Sequence, residues 1–212
     1  TSILHKSQEE LEMLARKKVK HLYLGIESGL DDVLKFMKKD HDLAQAYQAI
    51  DRLHEAGLIY DAHIMTGVAG KGRGMENAEA LAQFLNRTNP AHVVNFSMFL
   101  HKEVPLYQDI RQGTFVPADE LETIREEYHL IERIAPEKAG ANILYDGFHD
   151  FIHVRVRGHL PGDKEKMLAK LNGIIQEYEG KEPVYSFVQG ECPDLEYCDD
   201  GKAVWDMDRK TS

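Results

Sequence analysis

Cysteine is scarce in this chain of 212 residues: Cys192 and Cys198 are the whole complement, and both lie near the carboxyl-terminal end. Two cysteines cannot form a disulfide framework, and the five residues between them match no common spacing of zinc or iron-sulfur ligands. We therefore expect two reduced thiols and no metal ligand among the residues of this chain.

Positive charge is also scarce, with 26 Lys and Arg residues against 36 Asp and Glu residues and a formal net charge of -10. A negative surface disfavours binding to duplex nucleic acid or to an anionic membrane. No apolar run has the length of a membrane span, and no basic and apolar leader opens the chain. We expect a cytoplasmic protein with no membrane partner, whose substrate is an unidentified small molecule or macromolecule.

Strand and helix patterns alternate along the first 135 residues. Strands are predicted over 19–26, 58–66 and 92–100, with amphipathic helices between them over 31–37, 43–56 and 76–85. A capping box at Ser7 and Glu10 starts an earlier helix, and helices over 105–112 and 119–134 follow. Strands separated by helices predict parallel βα units, so the fold class is α/β.

Past residue 135 the pattern changes to a half-exposed strand over 151–157 and a helix over 164–178. We predict three parts: βα units over 1–135, a small α+β extension over 136–189, and a loosely ordered acidic tail over 190–212.

Polar residues follow the predicted strands where each strand ends. Glu27 and Ser28 lie in the turn 25–29, His63, Met65 and Gly67 end the second strand, and Asn95 lies on the third. Because the carboxyl ends of parallel strands meet at one edge, these residues predict a ligand site. The structural alternative is that Glu27 and Ser28 only cap the following helix and that His63 is a packed histidine.

Two other sites have weaker support. The glycine-rich segment 67–74 has amides for a phosphate, but it has neither the spacing of a P-loop nor a Ser or Thr after Lys71. His149 and His153, with Asp146 and Asp150, outline a divalent-metal cluster, although an exposed polar strand explains them more simply.

Several segments resemble the second half of a radical S-adenosylmethionine (SAM) enzyme, and the resemblance extends to a bacterial subgroup of Fe-S oxidoreductases similar to oxygen-independent coproporphyrinogen oxidase. They are the segments 22–39, 56–57, 63–70, 104–107 and 158–168. The resemblance implies part of a (β/α) TIM-like barrel that binds SAM and a 4Fe-4S cluster. It places Glu27, Ser28 and His63 near the ribose or methionine of SAM, Met65 and Gly67 beside the adenine, and Asn95 and Phe96 on the next strand.

The chain lacks the Cys-x-x-x-Cys-x-x-Cys motif that holds the cluster in this superfamily. We therefore expect a fragment of an oxidoreductase that cleaves SAM to a 5′-deoxyadenosyl radical only as the full-length protein, and no catalytic residue is assigned within the chain. The exposed edge of the half-barrel predicts self-association. A half-barrel binding or regulatory module without redox chemistry is the main alternative, and a His/Asp metal hydrolase is a distant one.

Overall fold

A computed structural model of the chain describes residues 3–187. The predicted acidic tail over 190–212, with Cys192 and Cys198, lies outside the described residues. Within 3–187, no helix is long and apolar enough to cross a membrane.

Helices and strands alternate as predicted over most of the described chain. In order, the elements are α1 (Gln8–Arg16), β1 (His21–Glu27), α2 (Asp31–Phe36), α3 (Leu43–Glu55), β2 (Ile59–Thr66), α4 (Gly74–Thr88), β3 (His92–Ser97), α5 (Pro105–Arg111), α6 (Glu120–Arg133), β4 (Ile143–His149), β5 (Val154–Leu160) and α7 (Lys164–Tyr178). The capping box is present: the Ser7 hydroxyl accepts from the Glu10 amide at 3.2 Å, and the Glu10 carboxylate accepts from the Ser7 amide at 2.7 Å.

The five strands form one sheet in chain order, β1-β2-β3-β4-β5. The first four strands are parallel and β5 is antiparallel to β4. The α/β prediction is confirmed, with a mostly parallel sheet that fits part of a TIM-like barrel. The predicted boundary at residue 135 falls in the loop between α6 and β4, and the sheet continues across it.

Three strands differ from the sequence prediction. β3 ends at Ser97 instead of residue 100. Residues 143–149 form β4, which was not predicted, and the strand predicted over 151–157 is instead a 3-10 turn over Asp150–Ile152 followed by β5. His153 takes a left-handed φ of 54° and closes the turn between the two strands. Asp146 and Gly147 interrupt the apolar pattern of β4. Asp146 pairs with Arg155, and Gly147 lies where a Cβ would meet the Glu127 side chain.

Among residues 3–187, the helices that pack on the sheet lie on one of its faces. The main core contains Leu53 of α3, Leu81 of α4, Ile131 of α6 and Leu171 of α7, packed on strand residues such as Ile64. Residues alternate between the two faces of a strand, so every second strand residue points away from this core. The uncovered surface is called the open face below.

Helix α6 places three buried glutamates against the ends of the strands. Glu126 accepts from the Gly67 amide at 2.8 Å and from the Asn77 side chain at 2.7 Å. Glu127 accepts from Asn95 at 3.1 Å and from the Tyr145 hydroxyl at 2.9 Å. Buried polar groups are costly unless paired, so a network with these partners fixes the helix on the sheet.

His149, at the end of β4, lies between two of these carboxylates. Its Nδ1 is 3.0 Å from Glu120 and its Nε2 is 3.0 Å from Glu127, and all three side chains are buried. Burial opposes the charged imidazolium, but the hydrogen bonds to the two carboxylates outweigh it and raise the pKa of His149 to about 10. The buried side of α6 is therefore not wholly apolar, because Glu120 and Glu127 share it with Ile124 and Ile131.

Replacing Gly147 by alanine tests how tightly this network is packed. A Cβ at Gly147 would lie 1.8 Å from Glu127 Oε1, so we expect Gly147→Ala to lower the free energy of unfolding by about 2 kcal/mol or more. Urea unfolding measures the change. The matched control is Gly173→Ala in α7, where a Cβ meets nothing within 4 Å and a gain of about 0.5–1 kcal/mol is expected. Equal stability of the two variants would contradict the packing.

Stability should fall as pH rises through the range where Glu126 keeps its proton only in the folded state. Burial raises the pKa of Glu126 from 4.5 to about 8. Between those values the folded state binds more protons than the unfolded state, so each pH unit lowers the free energy of unfolding by about 1.4 kcal/mol at most. His149 adds a loss of the same sign between 6.5 and about 10.

Urea unfolding at about pH 5.5 and about pH 7.5, two values inside this window, measures the loss of stability of the wild type and of Glu126→Gln. We expect a smaller loss of stability in the variant, because the other titrating groups, including His54 and His92, are common to both chains. Identical losses would show that Glu126 does not hold a proton in the folded state.

Candidate functional site

A row of aromatic rings crosses the open face of the sheet. The Tyr23 and His63 ring centroids are 5.1 Å apart, His63 and Phe96 are 6.0 Å apart, and Phe96 and Phe148 stack at 5.6 Å. Tyr23 is 57% exposed and Phe96 is 37% exposed. Exposed aromatic side chains in a continuous row often mark a binding surface, so this row is a candidate site for an apolar or planar ligand.

At β5 the row of aromatic rings ends beside the positively charged side chain of Arg155. The guanidinium carbon of Arg155 lies 4.7 Å from the centroid of the Phe148 ring, within the range of a cation-π contact. Asp146 holds the same guanidinium by two hydrogen bonds, of 2.8 Å to Nε and 2.6 Å to an NH2 group. The bidentate pair fixes the orientation of Arg155 over the ring.

Glu27 lies at the opposite end of the open face, at the carboxyl end of β1. The strand shifts its register between Gly25 and Glu27, and Glu27 has a left-handed φ of 64°. Such a conformation is uncommon for a residue with a side chain and is found preferentially at functional positions. The Glu27 carboxylate is 3.0 Å from Lys39 Nζ, and it is only partly buried.

The absence of a side chain at Gly25 provides the space for the ion pair between Glu27 and Lys39. A Cβ at Gly25 would lie 2.7 Å from Glu27 Oε1 and 3.6 Å from Lys39 Nζ. A cleft of about 260 Å³ adjoins the pair, with Tyr23, Gly25, Lys39 and His41 among its lining residues. Lys39 and Tyr23 therefore line one open space at the edge of β1, and Glu27 pairs with Lys39 beside it.

The seven residues predicted to bind a cofactor are divided between the two faces of the sheet. His63, Met65 and Phe96 lie on the open face, and Met65 is directly opposite Phe96 in the β2-β3 register. Ser28 and Asn95 are fully buried on the helix-covered face. The structure thus brings Glu27, His63, Met65 and Phe96 to the open side and does not bring Ser28 and Asn95 there.

Ser28, Asn95 and Gly67 belong to the buried network. The Ser28 hydroxyl donates to Asn77 Oδ1 at 2.6 Å and accepts from the Leu30 amide at 3.1 Å. Asn95 Oδ1 accepts from the Thr66 amide at 3.1 Å, and the Gly67 amide donates to Glu126. Their contacts in this structure are those of residues that hold strand ends in place.

Near the amino-terminal ends of β2 and β3, the open face carries two polar residues, Asp61 and His92, which are opposite each other in the register of these strands. His21 Nδ1 is 2.9 Å from Asp61 Oδ2. Asp61 Oδ1 and His92 Nε2 are buried without a hydrogen-bond partner in the described part of the chain. Burial lowers the pKa of His92.

The glycine-rich segment 67–74 does not offer its amides to an external anion. The Gly67 amide donates to Glu126, the Gly72 amide donates to Glu122, and the Lys71 amide donates to the Val116 carbonyl at 2.8 Å. Two carboxylates of α6 thus occupy the positions that a phosphate would take. The structure does not support the phosphate-site hypothesis for this loop.

The structure does not bring together the residues of the possible His/Asp metal cluster. His149 is buried against α6, whereas Asp146 pairs with Arg155 on the open face and Asp150 and His153 lie in the turn between β4 and β5. Among residues 3–187, no group of three or more His, Cys, Asp or Glu side chains is arranged to hold a metal ion. The residues named for the metal-hydrolase alternative do not form the required site.

Sequence patterns missed Tyr23, Lys39, Phe148 and Arg155. Alternation in β1 and β5 places Tyr23 and Arg155 on one face, but which face stays uncovered depends on where the helices pack. Lys39 is twelve residues from Glu27 and reaches it only through the turn after α2. Phe148 lies on the strand that was not predicted.

The comparisons with known proteins give matches to a family model, a curated relative and a solved structure. Residues 1–85 match the family model "Radical SAM superfamily". Over 119 residues the chain is 25% identical to the tRNA uridine(34) acetyltransferase of Methanocaldococcus infernus (strain DSM 11812 / JCM 15783 / ME). That match covers 56% of this chain and 22% of the relative.

A solved structure, the archaeal Methanocaldococcus infernus Elp3 with N-terminus deletion (1-46), shares the fold with a TM-score of 0.58 at 18% identity. The likeness covers 81% of this chain and 39% of that chain, so this chain spans less than half the length of both relatives. Residues 1–85 therefore carry a match to the radical SAM superfamily, within an α/β fold that this chain shares with part of an archaeal Elp3.

Proposed function

We propose that this chain is the SAM-binding half-barrel of a radical SAM oxidoreductase and holds the nucleoside and amino-acid parts of SAM on its open face. The observation that carries the proposal is the Glu27-Lys39 pair at the end of β1, next to the half-exposed ring of Tyr23. SAM held by Glu27 and Lys39 would supply the radical chemistry of the superfamily, together with a 4Fe-4S cluster whose ligands this chain does not contain.

The groups on the open face fit the parts of SAM. Glu27 is able to accept hydrogen bonds from ribose hydroxyls or from the amino group of the methionine part, and Lys39 is able to donate to its carboxylate. Phe96 and His63 offer ring surfaces against which adenine packs. Ser28, Gly67 and Asn95 support this site indirectly, because they hold the strand ends that carry these groups.

The chain's own residues position SAM and do not provide the cluster. The 212 residues contain two cysteines and no Cys-x-x-x-Cys-x-x-Cys motif. We infer that a polypeptide segment with that motif completes the site and that the chain belongs to a longer or two-part enzyme. A half-barrel that binds SAM without redox chemistry remains the second candidate, favoured by the absence of that motif from the chain.

The relatives do not determine the substrate. The curated relative is named for acetyl transfer to uridine 34 of tRNA, but this chain covers 22% of it. The net charge of -10 gives the chain no general attraction to tRNA. Neither that substrate nor the coproporphyrinogen oxidase-like subgroup is supported by a specific contact of the described residues.

Calorimetric titration with S-adenosylhomocysteine tests the site without a cluster. We expect the purified chain to bind this ligand and both Glu27→Gln and Phe96→Ala to weaken binding on the order of tenfold, through loss of a charged acceptor and of a ring surface. Circular dichroism confirms that each variant is folded.

The matched controls change similar residues on the helix-covered side of the molecule. Glu179→Gln removes the exposed carboxylate that pairs with Arg125, and Tyr178→Ala removes an aromatic ring from the end of α7. Both controls should bind as the wild type does. Absence of binding at about 1 mM ligand, or equal affinity of Glu27→Gln and the wild type, would refute the proposed site.

Anaerobic reconstitution with iron and sulfide tests the second part of the proposal. We expect no four-iron signal in electron paramagnetic resonance spectra and no release of 5′-deoxyadenosine from SAM, because the chain lacks three cysteines in the required spacing. A stoichiometric four-iron cluster on this chain alone would contradict the inference that another segment supplies the ligands.

A further inference from the structure

The β3–β5 end of the open face combines aromatic rings with an excess of positive charge. In the strand register Phe96 is opposite Phe148, and Phe148 is opposite Arg155. Arg157 is two residues further along β5, opposite Asp146, and therefore lies on the same face as Arg155. We propose that this end of the open face binds a planar aromatic carboxylate.

Two guanidinium groups share one carboxylate at this end of the sheet. Asp146 accepts hydrogen bonds of 2.8 and 2.6 Å from Arg155, but its distance to Arg157 Nε is 3.7 Å, which is too long for a hydrogen bond. The Asp146 side chain is 6% exposed, whereas that of Arg157 is 55% exposed. One positive charge therefore remains on an accessible side chain, and the single carboxylate of a ligand would neutralise it.

The two arginines have the donors that such a carboxylate needs. A guanidinium group has five N–H donors in a planar fork that matches the two oxygens of a carboxylate. Asp146 occupies Nε and one terminal nitrogen of Arg155, so the second terminal nitrogen is not used by this pair. Arg155 and Arg157 are roughly 7 Å apart along one face of β5. A carboxylate between them is able to accept from both side chains.

The aromatic rings favour a planar ligand over a saturated one. The Phe96 and Phe148 rings stack with an interplanar angle of 16°, and the Arg155 guanidinium lies over the Phe148 ring. Stacked rings direct their faces at each other, so they present edges to a ligand on the open face. Ring edges are the positive part of the aromatic quadrupole, and they attract the negative face of another ring in an edge-to-face contact.

The size of this surface suits one small ligand beside the proposed SAM site. Phe96 and Arg155 are two strands apart, roughly 10 Å, a span that a bicyclic ring with one carboxylate covers. Phe96 has His63 on its β2 side and Phe148 on its β4 side. A ligand over Phe148 would therefore lie next to the β1 end, where we place SAM, without occupying it. The proposal goes beyond SAM binding and does not rest on it.

Calorimetric titration of the full chain with 2-naphthoate tests the proposal. Two comparison ligands separate its parts: 2-naphthamide has the same rings without the charge, and decahydro-2-naphthoate has the charge without aromatic rings. We expect a Kd on the order of 0.1–1 mM for 2-naphthoate and about tenfold weaker binding of both comparison ligands. If either comparison ligand binds as tightly as 2-naphthoate, the proposal is wrong.

Two variants change the two parts of the surface. We expect Arg157→Gln to weaken 2-naphthoate binding about tenfold, through loss of the charged fork, and Phe148→Leu to weaken it about three- to tenfold, through loss of the ring. Both variants keep the two hydrogen bonds between Asp146 and Arg155, so neither leaves a buried carboxylate unpaired. Circular dichroism confirms that each variant is folded.

The matched controls are Arg125→Gln and Tyr178→Leu on the helix-covered side of the molecule. Arg125 pairs with Glu179 at 3.0 Å, and Lys181 Nζ lies 4.6 Å from the centroid of the Tyr178 ring, so the controls remove similar contacts. Both should bind 2-naphthoate as the wild type does. The proposal fails if 2-naphthoate does not bind at about 5 mM, or if a control loses as much affinity as the variant that it matches.

Two further measurements separate this ligand from other occupants of the open face. Arg157→Gln should bind S-adenosylhomocysteine as the wild type does, and loss of both ligands would overturn the assignment of a separate site. The naphthoate titration does not require S-adenosylhomocysteine binding, so failures of the two sites are distinguishable. Sedimentation velocity detects a second copy of the chain: a dimer that dissociates on Phe148→Leu would overturn the choice of a small ligand.

Discussion

The hydrogen bonds of three buried glutamates in α6 are the constraint on which the strand ends depend. Glu126 holds the end of β2 and, through Asn77, the turn after β1, while Glu127 and Glu120 hold the ends of β3 and β4. Buried carboxyl groups, protonated or ionised, are stable only with such partners. The helix therefore sets the relative positions of the ends of the four parallel strands that carry the open face.

Because strand residues alternate between the two faces of the sheet, the residues that support the fold are separated from those that are accessible to a ligand. Residues that point to the helices join the apolar core or the buried network, and residues that point away form the aromatic row. Ser28 and His63 lie at comparable strand ends but on opposite faces, so one holds a turn and the other remains accessible. A polar side chain at a strand end is thus not in itself evidence of ligand contact.

Charge differs between the two ends of the open face. Near β1, Glu27 and Lys39 form a single ion pair beside a small cleft, whereas at β5 the guanidinium groups of Arg155 and Arg157 share the one carboxylate of Asp146. Arg155 also ends the aromatic row through its contact with Phe148. The β5 end of the open face therefore carries the excess of positive charge.

Local patterns in the sequence determined most helix and strand positions, the parallel βα arrangement and the concentration of polar residues at strand ends, because periodicity and capping act over a few residues. They did not predict β4, whose Gly147 is required by the approach of Glu127, or the division of Ser28 and His63 between two faces. Only the tertiary structure decided these points, because each depends on where a distant helix packs on the sheet.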